Sequence, residues 1–348
     1  MEENARSIDQ VREKIERAAT LVPSLRCAIP KQEYLTASSP IPQSITEATI
    51  IAADGSQINP DRHGAFDYCL VNVGAILLEA DRLNVPKPVI QTRLFYDDEL
   101  YTSTGVMTEG IIALIRDQRE REVLAEIAQD AKKPVITFTD GPIELWEGEQ
   151  SREFSQRFQR YLRALSHLHE LGAITAGYVE KPRSDLVVRM LEVIDLPDEG
   201  LERAGKERLL RGVRDTDLYS DYLGPGDRSA IFEIQSKSAP KYEAELSLHF
   251  FYLNVSPNPE NPWLVRVEIP AWVGKDETML DQLHRALMDQ CSILGNQPYP
   301  YLLHRAHEIA LVTKSEKDQL EQMIAIELRS KGVVVARKSP KQVHKDHG

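Results

Sequence analysis

Apolar positions along the first half of the chain alternate between two rhythms. Over 4–20, Ile8, Val11, Ile15, Ala18 and Ala19 recur at helical spacing and predict an amphipathic helix. Residues 28–46 place Pro30, Pro40 and Pro42 among several Ser and Thr, the composition of a loop or arm. The β-rich run Ala48-Thr49-Ile50-Ile51-Ala52-Ala53 follows and stops at Asp54-Gly55-Ser56. Further strands are expected over 68–79 and near 89–96. A helix is expected over 107–130, with Ile112, Ile115, Val123 and Ile127 as its apolar stripe. The strand Pro134–Thr139 stops at Asp140-Gly141-Pro142, a helix fits 151–171 up to Gly172, and a strand follows over 173–179. Strands alternating with helices predict an α/β fold.

The second half is less regular. Residues 195–230 are charged and interrupted by Gly and Pro, the character of an insertion or lid. Strands at 245–255 and 263–269, joined by the turn-rich 256–262, predict an antiparallel pair. A helix at 278–294 puts Met279, Leu280, Leu283, Leu287 and Leu294 on one face. One long final helix is expected from Pro300 onward, carrying His304 and His307. The basic tail 338–348 is expected to be disordered. The chain therefore divides into an N-terminal helix and arm (1–46), a main domain (47–330, with 195–230 inserted) and a tail (331–348).

Composition adds exclusions. The 348 residues suffice for a substantial core, and 42% hydrophobic with 28% charged is an ordinary globular balance. Apolar runs such as Ala75-Ile76-Leu77-Leu78 fall far short of the roughly 20 residues that cross a bilayer. The start, Met1 to Arg6, lacks the basic-then-apolar order of a signal peptide, so a cytoplasmic location is expected. Cys27, Cys69 and Cys291, odd in number and far apart, fit reduced buried thiols. The net charge of −12 is unusual for a protein that binds nucleic acid. Positive charge must then be concentrated locally, or a partner must deliver the substrate.

Two segments share one design: a β-rich run followed by Asp-Gly, at Asp54-Gly55 and Asp140-Gly141. Asp-Gly alone is an everyday turn dipeptide. At the carboxyl ends of two strands of one sheet, however, the aspartates can face one ligand. Two converging carboxylates are the minimal site for a hard divalent cation.

Ile50-Ile51-Ala52-Ala53-Asp54-Gly55-Ser56 resembles the opening motif of NurA nucleases. Phe138-Thr139-Asp140-Gly141-Pro142-Ile143 resembles the second Asp-Gly motif of that family, and Pro298-Tyr299-Pro300-Tyr301 through Ala306-His307-Glu308 its C-terminal motif. Gly177-Tyr178-Val179-Glu180-Lys181-Pro182 and Arg266-Val267-Glu268-Ile269-Pro270 are similar as well. The resemblance covers roughly residues 48–315, and the order and spacing of the motifs make it specific.

The resemblance implies an RNase H-like mixed sheet flanked by helices, with an irregular insertion and an N-terminal helical extension. It implies a carboxylate–histidine cluster binding Mn2+, with Mg2+ as the other candidate, in which metal-activated water attacks a DNA phosphodiester. By motif the site residues are Asp54, Asp140, a glutamate on the intervening helix (Glu120, with Glu122 as the alternative) and His307. Helical geometry favours His307 over His304: Leu302, Leu303, Ala306, Ile309 and Ala310 share a face, His307 borders it, and His304 points away.

Candidate DNA contacts are Lys181, Arg183 and Arg228, the last able instead to pair with Asp227. Arg152, Arg157, Arg160 and Arg163, interleaved with Phe154, Phe158 and Tyr161, form either a phosphate-tracking wall with stacking rings or a helix with its rings in the core. A second basic cluster runs from Arg203 to Arg214.

The family acts in DNA end resection and double-strand break repair, as a homodimer with a HerA-type hexameric ATPase. The chain has no phosphate-binding Gly-x-x-x-x-Gly-Lys loop of its own. The alternatives are a non-catalytic DNA-binding or regulatory subunit of such an ATPase, and an RNase H-like nuclease acting on RNA.

Overall fold

The computed structural model describes residues 2–33, 35–43, 47–61, 65–79, 85–102, 105–145, 151–295 and 297–333, with side chains from residue 8 onward. The tail 338–348 lies outside the described residues. The long strands are β1 (Cys27–Pro30), β2 (Thr49–Ile58), β3 (Cys69–Leu78), β4 (Lys87–Phe95), β5 (Val135–Asp140), β6 (Ile174–Val179), β7 (Phe232–Gln235), β8 (Leu248–Asn254) and β9 (Leu264–Pro270). They pair in the order β1-β7-β8-β9-β6-β5-β2-β3-β4, and the two-residue strands Ser38–Ser39 and Arg228–Ser229 complete an eleven-stranded sheet. The helices are α1 (Glu2–Leu21), α2 (Glu109–Asp130), α3 (Arg152–Glu170), α4 (Leu186–Asp195), α5 (Glu277–Ser292), α6 (Tyr301–Ala310) and α7 (Lys314–Ser330), besides shorter turns.

The chain first lays down the antiparallel meander β2-β3-β4. It then crosses over through α2 to place β5 parallel to β2, and through α3 to place β6 parallel to β5. Three antiparallel strands followed by two parallel ones on the other side of the first is the mixed RNase H-like sheet that the motifs imply. The strands β9, β8, β7 and β1 extend it antiparallel.

Side-chain alternation along β2 divides the core. Ile51 and Ala53 join the cluster under α1, α2, α3 and α4, while Ile50 and Ala52 face the one under α5 and α6. Helix starts follow from their caps: Thr108 accepts from the Ile111 amide, Ser151 from Phe154 at 3.0 Å, and Asp276 from Met279 at 3.0 Å.

Four details differ from the sequence expectation. The Pro-rich stretch after α1 forms strands at Cys27–Pro30 and Ser38–Ser39, because β7 and Arg228–Ser229 offer edges to pair with. Asp54 does not end its strand: β2 pairs with β3 without a break from Ile50↔Leu78 to Ile58↔Leu70. The expected final helix is two, because Leu311 is extended and Thr313 and Glu316 form a reciprocal capping box that starts α7. Finally, much of 195–230 is tied into the core. The buried Asp215 accepts the amides of Val187 (3.0 Å) and Val188 (2.9 Å) at the start of α4, and the Tyr252 hydroxyl at 2.7 Å.

Candidate functional site

The site arises where the sheet splits. The last β2–β5 pair is Ala53↔Thr139, after which β5 ends at Asp140 while β2 continues. Asp54 and Asp140 are the next residues on these adjacent strands. They project to the face that carries α6, with their strands roughly 4.8 Å apart. The unpaired Gly55 amide donates to Asp54 Oδ1 at 2.8 Å.

From the α6 face, His307 Nδ1 lies 2.6 Å from Asp54 Oδ2. The helix comes this close because of Gly74, which faces Asp54 in the ladder. A Cβ on Gly74 would stand 2.6 Å from Ile309 Cγ1 and 2.8 Å from both Ala306 O and Ala310 N. The end of the helix is fixed by its last carbonyl: Ala310 O accepts from Ser56 Oγ at 2.5 Å and from Asn72 Nδ2 at 2.8 Å. His304, one helical turn earlier, does not point away as the helical spacing suggests: it lines a cleft with Asp140 and His307, and it lies 3.6 Å from Glu308.

From the opposite face α2 brings Glu120. A Cβ on Gly55 would stand 2.6 Å from Arg116 Cγ and 2.7 Å from Glu120 Oε1, so the glycine after Asp54 serves to admit this pair from α2 rather than to make a turn. Glu120 is buried and lines a cleft of about 540 Å³ together with Asp54, Asp117, Asp140 and His307. Glu122 points elsewhere, to Gln118 and Arg119.

The electrostatics record the crowding. Burial raises the Glu120 carboxyl well above its ordinary value, and Asp117 and Asp54 add to the shift against the opposing Arg116. Asp117 is raised by burial against the pull of Arg116, 2.8 Å away. Asp140 is raised by its packed surroundings and by Asp54, and a hydrogen bond from Tyr299 opposes this. Tyr299 is held edge-on by Tyr178, with centroids 5.4 Å apart at 88°. Sequence reasoning assigned no role to Asp117, Arg116 or Tyr299. Asp117 lies one helical turn before Glu120, and Tyr299 sits in the quoted Tyr-Pro-Tyr motif.

The loop after Asp140 is clamped. Buried Glu268 accepts the amides of Ile143 (2.8 Å) and Glu144 (3.0 Å) and pairs with Arg266 at 2.8 Å. The Tyr161 hydroxyl donates to Ile143 O at 2.8 Å, and buried Glu144 is held by Arg26, Ser236 and Ser238.

Three carboxylates and an imidazole are the donor chemistry of a hard divalent cation. Mutual repulsion that lifts carboxyl groups is what such a cation relieves, so the residues fit one by chemistry. Among the described residues no three acidic, His or Cys side chains yet converge on a single point. Arg116 instead lies 3.5 Å from Glu120, and His307 engages Asp54.

The proposed DNA contacts separate. Lys181 is exposed beside the site, 3.7 Å from Glu180 and 6.0 Å from the Trp263 ring centre. Arg183 is exposed in the adjoining cleft. Arg228 is buried and held in a bidentate pair by Glu33 at 2.9 and 3.0 Å, out of reach of a phosphate, while Asp227 accepts from Ser38. The rings of Phe154, Phe158 and Tyr161 are in the core, which excludes the stacking wall on α3. In the insertion, Arg203, Arg208 and Arg214 are paired with Glu207, Asp185 and Asp217.

A family model described as the NurA domain matches residues 48–312. No curated protein matches the chain. Among solved structures, an Argonaute of A. aeolicus is 10% identical with a TM-score of 0.32, covering 76% of this chain and 28% of that one. LC9-RNase H1, a type 1 RNase H with the type 2 active-site motif, is 14% identical with a TM-score of 0.22, covering 36% and 60%. Endonuclease V of Ciona intestinalis, in complex with a 24mer DNA containing an inosine followed by a ribo-adenosine, is 14% identical with a TM-score of 0.31, covering 82% and 92%. The chain thus spans less than two thirds of the first two.

Proposed function

Because the chain belongs to the NurA family, a family of nucleases, we propose that it is a divalent-metal-dependent deoxyribonuclease acting on single- or double-stranded DNA ends in end resection and double-strand break repair. The observation that carries this reading is the side-by-side placement of Asp54 and Asp140 where β5 leaves β2, with Glu120 entering from one face and His307 from the other. These four residues would hold the cation, Mn2+ being favoured over Mg2+ by the imidazole. When bound, it would supply electrophilic activation of the phosphate and acidification of a water.

The protein side chains do the positioning. With its proton on Nδ1, His307 is anchored to Asp54 and turns Nε2 outward as an acceptor. The Tyr299 hydroxyl fixes the Asp140 carboxylate. The Glu268 clamp keeps the 141–145 loop from drifting. Lys181 places positive charge at the mouth and offsets part of an acidic surround. A homodimer served by a HerA-type ATPase would deliver DNA to a protein of net charge −12. No described helix is long and apolar enough to cross a membrane, and a cytoplasmic location is part of the same reading.

The incomplete convergence of the donors favours, as second reading, a non-catalytic subunit of such an ATPase. Cleavage of labelled single- and double-stranded DNA and of matched RNA, in Mn2+, Mg2+ or EDTA, separates the two. DNA cleavage that needs Mn2+ and disappears in Asp54→Ala and Asp140→Ala supports the nuclease. No cleavage under any condition, with and without the ATPase, leaves the non-catalytic subunit, and preference for RNA redirects the substrate.

A further inference from the structure

Asp140 and His307 line two clefts, not one. The first holds Asp54 and Glu120. The second opens on the other side and is lined by Glu180, Lys181, Trp263 and Tyr299. A third cleft shares Glu180, Lys181 and Trp263 with the second and continues to Arg183 and Arg214. Shared walls make the three a continuous track along the carboxyl end of β5 and β6.

The sheet geometry gives its scale. β9 pairs with β6 and β6 with β5, and Asp140 is level with Tyr178 and Val267, so Trp263 stands two strand spacings across and four residues along from Asp140, roughly 16 Å between backbones. Both residues line the same cleft, so one strand with a nucleotide at the carboxylates can place a base a few nucleotides along at Trp263.

Trp263 is half-buried and rigidly placed. Its amide donates to Asn254 Oδ1 at 3.1 Å, and its ring packs against the core on one side while facing the track on the other. The cations are asymmetric about it. Lys181, at 6.0 Å from the ring centre, is shared with Glu180 and Arg214 is engaged by Asp217, whereas Arg183 is exposed without an ion pair among the described residues. Glu180 stands between the second and third clefts, 3.7 Å from Lys181, and offsets part of that lysine's charge. A base face against Trp263, with its phosphate toward Lys181 and Arg183, satisfies all of these groups. A stacked duplex does not expose a base face to such a ring; a single strand does.

We infer that Trp263, with Lys181 and Arg183, forms a subsite that stacks an unpaired base a few nucleotides from the scissile phosphate, so that single-stranded DNA is drawn along this track. The inference rests on the nuclease reading for the identity of the strand but is tested by binding alone.

The test is fluorescence anisotropy of labelled oligo(dT), from dinucleotide to dodecamer, in the Asp54→Asn background with and without Mn2+. It compares Trp263, Trp263→Ala, Trp263→Phe and Arg183→Ala. Stacking is worth about 1–3 kcal/mol per base, so Trp263→Ala should weaken dodecamer binding roughly 5- to 150-fold. The loss should be larger for the dodecamer than for the dinucleotide, Trp263→Phe should recover most of it, and Arg183→Ala should reduce the salt dependence of binding. Equal affinity of Trp263 and Trp263→Ala at every length overturns the inference, as does equal sensitivity on a blunt duplex, or no dodecamer binding at all. A protein that never cleaves DNA but shows this length-dependent loss would refute the nuclease reading and leave the subsite standing.

Discussion

Gly74 lies directly across the β2–β3 ladder from Asp54, and the space left by its missing side chain is filled by the helix that carries His307. The 2.6 Å approach of His307 to Asp54 thus depends on a residue with no chemistry of its own. Gly74→Ala would press a methyl against Ala306 O and Ala310 N, backbone atoms that cannot rotate away. Such overpacking costs about 1–3 kcal/mol, and a shift of about 1 Å in a catalytic group can cost on the order of 100-fold in rate. Urea denaturation should show the first loss and DNA cleavage well below the melting temperature the second. Adding Ile309→Ala should rescue only partly, since the backbone contacts remain. Unchanged cleavage in Gly74→Ala would show that α6 need not touch the sheet there.

The two glutamates on α2 give a sharper contrast. Glu120 enters the cleft with Asp54 and Asp140, whereas Glu122 lines a different one with Arg160 and Arg163. Glu120→Gln should reduce Mn2+-dependent cleavage by on the order of 100-fold or more and shrink the thermal stabilisation that Mn2+ confers. Glu122→Gln should stay within about 2-fold of the unsubstituted protein. The reverse pattern would move the metal glutamate one half-turn along the helix.

How much of this was visible beforehand depends on what kind of force fixes each part. Asp54 and Asp140 stand out because each ends a β-rich run. That Asp54 lies inside its strand does not, since from 54 to 57 β2 is only half-buried and is held by backbone pairing with β3, which needs no apolar pattern. Asp117 is hidden in a charge-dense stretch, and α2 also buries Gln118, Glu120 and Arg121, so its polar residues carry no mark of their surroundings. The break between α6 and α7 has no Gly or Pro, and only Thr313-Lys314-Ser315-Glu316 betrays it as a capping box. Arg228 looked like a phosphate ligand because its partner Glu33 is 195 residues away in the chain.

A pH effect should arise far from the site. His249, in β8, is almost fully buried, and neither ring nitrogen has a hydrogen-bond partner among the described residues. The Lys31–Glu233 and Lys275–Glu245 pairs face it from β1, β7 and the ends of the neighbouring turns, and Gly274 closes the contact. Burial, reinforced by Lys31, pushes its pKa from 6.5 to about 4. The unfolded chain therefore takes up a proton that the folded chain refuses, so stability falls as pH drops from about 6.5 toward about 4. The full loss is on the order of 3 kcal/mol. His249→Leu should flatten the stability–pH curve in that window, read by urea denaturation at a series of pH values. A curve as steep as that of the unsubstituted protein would place the acid sensitivity elsewhere.

The Arg266–Glu268 pair separates charge from positioning. Both side chains are buried, and Glu268 also holds the amides of Ile143 and Glu144 that follow the Asp140-Gly141-Pro142 turn. Glu268→Leu alone strands the Arg266 charge in the core, which costs about 3–5 kcal/mol. Pairing it with Arg266→Met removes that charge and should return much of the stability, because a well-packed apolar pair often matches a buried ion pair. The double variant still leaves two amides without their acceptor, about 1–3 kcal/mol each if they stay dry, and the loop has reason to move toward water. Cleavage should therefore remain low in the double variant even where denaturation shows a folded protein, with the defect in kcat rather than KM. Full recovery of both would mean that Glu268 only neutralises Arg266, and that Asp140 is held in place by the Tyr161 and Tyr299 hydroxyls without it.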